Sequence, residues 1–474
     1  MNEMPNNKPG WRWTRRILVV SACLATLIAV FYAEEDWRGK HAWENCKREL
    51  ETKGAVLDWN QYIPPPVADD LNFFKAPKMQ EWFVKNSNAT TNELMMLVTN
   101  DEKTTTITDK TAAAHFLTWS DQFQPEFDLI REALKRPYAV IPGNYTKPFE
   151  QPIPNFVTMR ALAQTLAQRA KCYLLLNRPE AALPELTLMH DVCRILEKPP
   201  TGQPETLVEA MINVAITGLY VATVQEGSRL HAWQAPQLAA LQAQLTEINL
   251  PPWVAAAFQA EQAATCHTAE ISQLSQISQI GLDSTKPTIW KKIRNLPNHA
   301  IDLAPHGWVY QNMAVCARMI QIQKENVLDT NQNVTPRGAE LVAKEIARVL
   351  EHNHSPFYLL ARIAIPNFTK AMQVCAFNQT QANEAQIACA LERYRLAYGE
   401  YPEMLDALAP QFNEVIPHDI IGGQPLHYRR EANGQFILYS VGWNETDDGG
   451  KVALKKDGSV DREQGDWVWQ YPQK

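Results

Sequence analysis

His267 and Glu270 stand three residues apart within a helically patterned stretch, residues 254–280, so both side chains share one helix face. An imidazole and a carboxylate so spaced ligate a metal when a second helix supplies partners. No such partner is evident, and a hydrogen-bonded or solvated pair is the simpler reading. Glu351, His352 and His354 gather where a helix meets Ser355-Pro356, a place where imidazoles also answer the negative end of a helix dipole. The densest set of hard donors is Asn444-Glu445-Thr446-Asp447-Asp448-Gly449-Gly450. Carboxylate and amide oxygens on such a turn suit a hard cation such as calcium. Lys455 stands where the closing Glu of an EF-hand would be, and Asp-Asp-Gly-Gly is also ordinary turn chemistry. The chain lacks Gly-x-x-x-x-Gly-Lys, Gly-x-Gly-x-x-Gly, Gly-x-Ser-x-Gly and His-Glu-x-x-His, which removes the common warrants for an enzyme.

Any of these groups needs a scaffold, and 474 residues with 45% apolar and 20% charged side chains are enough for a globular one. The net charge of −7 carries no long basic run, so nucleic acid is not an expected partner. Residues 155–360 read as an irregular α-helical domain. Within it, residues 157–176 and 180–196 are separated only by Asn177-Arg178-Pro179 and should form an antiparallel helical hairpin. Residues 206–224 are apolar almost all round, but their uninterrupted run is too short to cross a membrane, so a central buried helix is expected. Thr335 can cap a helix opening at Pro336 and running to about His352. Residues 303–312 (LAPHGWVYQN) read as a packed loop, residues 123–134 as a helix, and the β-prone residues 94–99 as part of a hairpin or loose loop. Seven cysteines lie outside the apolar N-terminal run, with no Cys-x-x-Cys pair. Cys375 and Cys389 share one expected helix about 20 Å apart and cannot bond to each other, so buried small hydrophobes are the default.

Residues 17–33 (ILVVSACLATLIAVFYA) contain no charge. As a helix they span roughly 26 Å, slightly short of a ~30 Å hydrocarbon core. Trp11, Trp13, Tyr32 and Trp37 supply interfacial anchors on the two sides. Arg12, Arg15 and Arg16 precede the run while Glu34, Glu35 and Asp36 follow it, which orients a short cytoplasmic N-terminus with the bulk of the chain outside. A cleaved signal peptide and a lipoprotein signal cut before Cys23 remain alternatives to an uncleaved anchor. The expected divisions are a cytoplasmic segment 1–16, a transmembrane anchor 17–33, a stalk and Pro-rich mixed region 34–154, the helical domain 155–360 and a C-terminal module 361–474.

That last part carries an ordered set of motifs: Ile363-Ala-Ile-Pro-Asn-Phe368, a helix through residues 378–398, Gly399-Glu-Tyr-Pro402, Pro417-x-Asp419, Gly423-x-Pro-Leu-x-Tyr428 and Phe436-Ile-Leu-Tyr-Ser-Val-Gly442. In this order they resemble the globular domain of the major pseudopilin of type II secretion. The resemblance covers residues 362–469 and implies a small α+β module with a short antiparallel sheet. In those pseudopilins the loop after the last full strand holds calcium through an early and a late Asp. The resemblance places Asn444 at the first position and Asp466 at the second, with Asp447 or Asp448 making good the weaker Asn444. The anchor lacks the pilin Glu, and more than three hundred residues separate it from the module, so a polymerising pilin subunit is not the expectation. The overall plan is similar to a group of large single-pass bacterial envelope proteins with the same kind of tail, which supplies no activity.

The expected protein is thus mainly α: an N-terminal transmembrane helix, an irregular α-helical domain and a pseudopilin-like α+β module. It sits in the bacterial inner membrane with its bulk periplasmic or extracytoplasmic. Its expected function is a non-enzymatic interaction scaffold for envelope proteins. The alternative is an envelope hydrolase with a pocket near His267, Glu270 and Trp308.

Overall fold

The computed structural model describes residues 10–85, 94–99, 107–204, 206–271, 303–353, 355–365 and 368–469. Residues 1–9 of the expected cytoplasmic segment, 272–280 of the expected long helix, His354 and Pro366-Asn367 lie outside the described residues. The helices are α1 (Gly10–Thr52), α2 (Met79–Phe83), α3 (Met95–Thr99), α4 (Lys110–Ser120), α5 (Gln124–Ala133), α6 (Phe156–Leu175), α7 (Pro179–Leu196), α8 (Leu207–Arg229), α9 (Ala235–Thr246) and α10 (Leu250–Ile271). They continue with α11 (Gly307–Glu325), α12 (Pro336–His352), α13 (Leu359–Ala364) and α14 (Phe368–Tyr398), followed by β1 (His427–Arg430), β2 (Phe436–Ser440), β3 (Val452–Leu454), β4 (Val460–Gly465) and β5 (Trp467–Val468). The protein is mainly helical with a short antiparallel sheet and a long apolar N-terminal helix.

The chain forms two compact units, each built from separate stretches. The first holds Met1–Leu57, Thr265–Met319 and Arg348–Ile365. Here the apolar run and the charged stretch after it are one helix, α1. Beyond the exposed apolar part, α1 buries Glu35, Gly39, Trp43, Cys46 and Leu50, a stripe at helical spacing. Gly39 is required there, because a Cβ on it would stand 2.0 Å from the Gly307 carbonyl oxygen. The start of α11 is capped from α1: Gly307 N–H donates to Asp36 Oδ1 at 2.7 Å and Trp308 Nε1 to Glu35 Oε2 at 3.0 Å. Asn312 ties in the turn before α13, donating to the Pro356 carbonyl and accepting from Leu360 N–H, each at 2.8 Å.

The second unit holds Asp58–Ala264, Ile320–Ala347 and Pro366–Lys474. The helical hairpin forms as its sequence dictates. Asn155 caps α6 by accepting from Thr158 N–H, Asn177 ends it in the left-handed conformation (φ 58°), and Pro179 opens α7. Thr206 caps α8 by accepting from Glu209 N–H at 3.1 Å. Helix α8 packs on α6, α7 and α14, and α14 also packs on α9. One buried cluster therefore joins Leu186, Tyr220 and Leu241 to Ile387, Leu391, Phe436 and Leu438. The expected module at 361–474 shares its core with the expected helical domain, because the buried face of α14 is covered by α8 and α9 as well as by strands. The sheet has order β1-β2-β5, antiparallel throughout, with His427 opposite Tyr439 and Ser440 opposite Trp467. Strands β3 and β4 form a separate hairpin.

Three local expectations are corrected. Residues 95–99 are helical, because Leu94 and Leu97 are fully buried and packing overrides their β preference. Residues 307–312 open α11 and are not a loop, since their cap comes from Asp36, far away in sequence. The Thr335 hydroxyl donates to the Asn326 carbonyl at 2.7 Å and so closes the loop between α11 and α12. Cys46, Cys172, Cys193, Cys266, Cys316, Cys375 and Cys389 are all free and buried. Burial raises the Cys46 thiol to about 11 and the Cys172 and Cys389 thiols to about 12, so all three stay protonated at neutral pH.

Candidate functional site

The acidic loop follows β2 and is closed by Asp466, which lies just ahead of β5 and is almost fully buried. Its carboxylate accepts three main-chain hydrogen bonds: from Asp448 N–H at 3.1 Å, Gly450 N–H at 2.6 Å and Lys451 N–H at 3.2 Å. Its own N–H donates to the Lys451 carbonyl at 2.9 Å. Asp466 thus acts as an anionic clasp on three amide groups of one loop, an arrangement that compensates a buried carboxylate.

The other expected ligands point elsewhere. Asp447 accepts from Gly449 N–H at 2.9 Å and from the Tyr439 hydroxyl at 3.1 Å. Those two bonds hold its carboxyl below the usual carboxylate range. Burial, reinforced by the Asp447 carboxylate, lifts the Tyr439 phenol to about 12. His427 stacks on Tyr439 with its Nδ1 3.6 Å from Asp447 Oδ2. Asn444 turns back on its own loop, accepting from Thr446 N–H and donating to Asp448 Oδ2 at 3.1 Å. The structure therefore brings Asn444, Asp447, Asp448 and Asp466 into one loop, but their oxygens face main-chain and side-chain donors instead of a common point. Among the described residues no group of three or more His, Cys, Asp or Glu side chains is placed to hold a metal ion. The donor set as arranged does not fit calcium.

The other candidate residues do not assemble either. Trp308 is committed to Glu35, Glu270 is exposed and His267 is partly buried. His352 sits at the end of α12 with Nδ1 2.9 Å from the Arg348 carbonyl, as a helix C-terminus favours.

Two buried charge centres went unread in the sequence. Arg169 on α6 donates to Glu185 Oε1 at 3.0 Å, Ser120 Oγ at 2.7 Å, Asp121 Oδ1 at 2.8 Å and Tyr173 OH at 3.1 Å. Burial works most strongly against its charge, but Glu185, the Asp121 hydrogen bond and Tyr173 together outweigh it and raise its pKa. It joins α4, α6 and α7 at the base of the helical hairpin. The second centre is Glu384 on α14 with Asp419. Asp419 accepts from Ile421 N–H at 2.9 Å and Val441 N–H at 3.3 Å, pinning the turn before β1 to the end of β2. Glu384 is fully buried, accepts from Gln381 Nε2 at 2.6 Å and keeps Oε1 without a partner. Burial, then the nearby Asp419 charge, lifts its carboxyl well above the usual range. An acidic residue amid Ala382, Ala385 and Ile387 was the available signal.

The motifs of the C-terminal part have structural roles. Tyr401 is buried edge-on to Phe436 at 4.9 Å and donates to Glu392, while Tyr428 OH donates to the Pro402 carbonyl at 2.7 Å. No protein-family model, curated protein or solved structure matches this chain.

Proposed function

We propose that this protein is a membrane-anchored, non-enzymatic interaction scaffold of the bacterial cell envelope, with a pseudopilin-like C-terminal module. The observation that carries the reading is the outer surface of α1. Ile17, Leu18, Val19, Val20, Leu24, Leu27, Ile28, Val30 and Phe31 are all exposed on one continuous helix, a surface that water does not tolerate and a bilayer does. The flanking charges favour a cytoplasmic N-terminus with the bulk of the chain outside. The order of long helix, Tyr-Pro turn, antiparallel strands and acidic loop supports the pseudopilin-like reading of the tail. The groups most capable of chemistry, Arg169, Glu185, Glu384, Asp419 and Asp466, are buried in structural roles, which favours binding over catalysis.

Fractionation and crosslinking test this on the full-length protein in its own membranes. Retention in the membrane pellet at alkaline pH, with protease reaching the bulk of the chain only from the extracytoplasmic side, is the expected result. Crosslinked capture of secretion or pilus-like components would make the tail a docking module. Release into the soluble fraction would remove the anchor, and turnover of a glycan or metabolite by the purified protein would remove the scaffold reading.

A further inference from the structure

Within the first unit, the segment that enters α11 lies along α1 and reaches back to its apolar part. One end is fixed by close backbone contact. A Cβ on Gly307 would stand 1.9 Å from the Glu35 carbonyl oxygen, and one on Gly39 would stand 2.0 Å from that of Gly307. The other end is fixed by the Tyr32 hydroxyl, which donates to the Leu303 carbonyl. From Gly39 back to Tyr32 the helix covers about 10 Å at 1.5 Å per residue. Leu303 therefore stands level with the last turn of the apolar run 17–33. Side chains on a helix lean toward its N-terminus, so Tyr32 reaches back along that run and not away from it.

A single exposed leucine ordinarily needs no partner. Leu303, 68% exposed, differs by its place along α1. With residues 17–33 across a bilayer, Tyr32 and Trp37 mark the level at which hydrocarbon gives way to headgroups. Phe31, exposed and edge-on to Tyr32 at 6.0 Å, extends the apolar surface beside it. The backbone of the segment suits a place poor in water. The Leu303 carbonyl accepts from Tyr32, the Pro305 carbonyl from Trp308 N–H at 3.0 Å and the His306 carbonyl from Val309 N–H at 2.9 Å. Gly307 N–H donates to Asp36 Oδ1 at 2.7 Å, and Pro305 has no N–H to satisfy.

We propose that residues 303–306 form a second contact with the membrane, with Leu303 seated beside Tyr32 among the headgroups and upper acyl chains of the leaflet that α1 leaves. The first unit is then held against the bilayer at two points, and α1 beyond the membrane is not a free stalk. This rests on the reading of α1 as a membrane anchor and adds the surface through which its unit meets lipid.

The test puts an NBD fluorophore on single cysteines of the full-length protein in vesicles of phosphatidylcholine and phosphatidylglycerol. A Cys23→Ala background serves, because the other cysteines are buried. Leu303→Cys is compared with Leu27→Cys inside the apolar run and with Glu44→Cys at an exposed position farther along α1. Phosphatidylcholine brominated along its acyl chains is the quencher. Quenching at Leu303 should approach that at Leu27 and exceed that at Glu44 several-fold, with the melting temperature of the labelled protein unchanged. Quenching at Leu303 no greater than at Glu44, while Leu27 is quenched, would overturn the proposal and leave the anchor standing. No quenching at Leu27 either would overturn both. A photoactivatable phosphatidylcholine reads the same contact on the unsubstituted chain. Its crosslinks should fall at residues 303–306 as well as within 17–33, and confinement to the apolar run would count decisively against the second contact.

Discussion

Among the described residues, two helices are long and apolar enough to cross a membrane, and they meet opposite fates. The apolar window of α1 has a mean hydropathy of 2.2 and none of it is buried, whereas that of α8 has 1.7 and is 56% buried. Around α8, neighbouring helices cover the apolar surface, and its polar groups bond locally. Thr223 donates to the Leu219 carbonyl, Ser228 to the Val224 carbonyl, and Asn213 to Glu197. Over the same length α1 offers no covered face, and its charges lie only beyond the ends of the run. Apolar composition says that a helix must leave water; what it enters depends on whether the rest of the chain can reach it.

The sharpest way to break this comparison is to place one charge in each helix. Ile216→Lys in α8 should cost more than about 4 kcal/mol, enough to unfold the second unit, because a buried ammonium would have no partner. Leu27→Lys in α1 should leave the melting temperature of the rest unchanged while weakening membrane retention. Equal thermal effects of the two substitutions, read by calorimetry, would show that α1 is packed in protein after all.

The next effect concerns how buried groups are compensated. Asp466→Asn should cost about 2–3 kcal/mol through loss of charge-assisted bonds to main-chain N–H groups. With no converging donor set, a chelator should leave the melting temperature of the wild-type protein unmoved; a fall restored by added calcium would show that an ion stabilises the loop.

A smaller effect tests how tightly α8 is covered. A Cβ on Gly218 would lie 2.3 Å from Asn378 Oδ1, so Gly218→Ala should push the Asn378 amide off its bond to the Val374 carbonyl and cost about 1 kcal/mol in denaturant unfolding.

The smallest expected effect depends on pH. The folded state holds Glu384 protonated after the unfolded chain, titrating near about 4.3, has released its proton. The folded state then binds more protons, so this residue makes stability fall as pH rises from that value toward the raised folded pKa. Glu384→Gln removes the dependence: it should melt higher than wild type at pH 8, with the difference shrinking toward pH 4. A pH-independent difference would locate the effect in packing.

Legibility in the sequence followed locality. The hairpin of α6 and α7 was readable because its periodicity, Asn177 and Pro179 all act within a few residues. The start of α11 was not, because its cap, Asp36, lies on another stretch of chain. Nor were the partners of Asp466 readable. Residue spacing identifies a carboxylate ahead of Trp467, but whether it meets an ion or three N–H groups depends on how the loop folds back. Glu384 and Asp419 likewise become neighbours only when the turn before β1 returns to α14.

By itself the sequence determined the helical character of the chain, the placement of most helices, the exposed-anchor pattern of residues 17–33 and the order of motifs in the tail. These follow from short-range sterics, capping and the periodicity of apolar side chains. Tertiary structure alone decided that α8 is covered, that the tail shares its core with the helices before it, and that Asp466 is a clasp. Each is a matter of which distant groups arrive at the same place, and burial and electrostatics depend on that arrival.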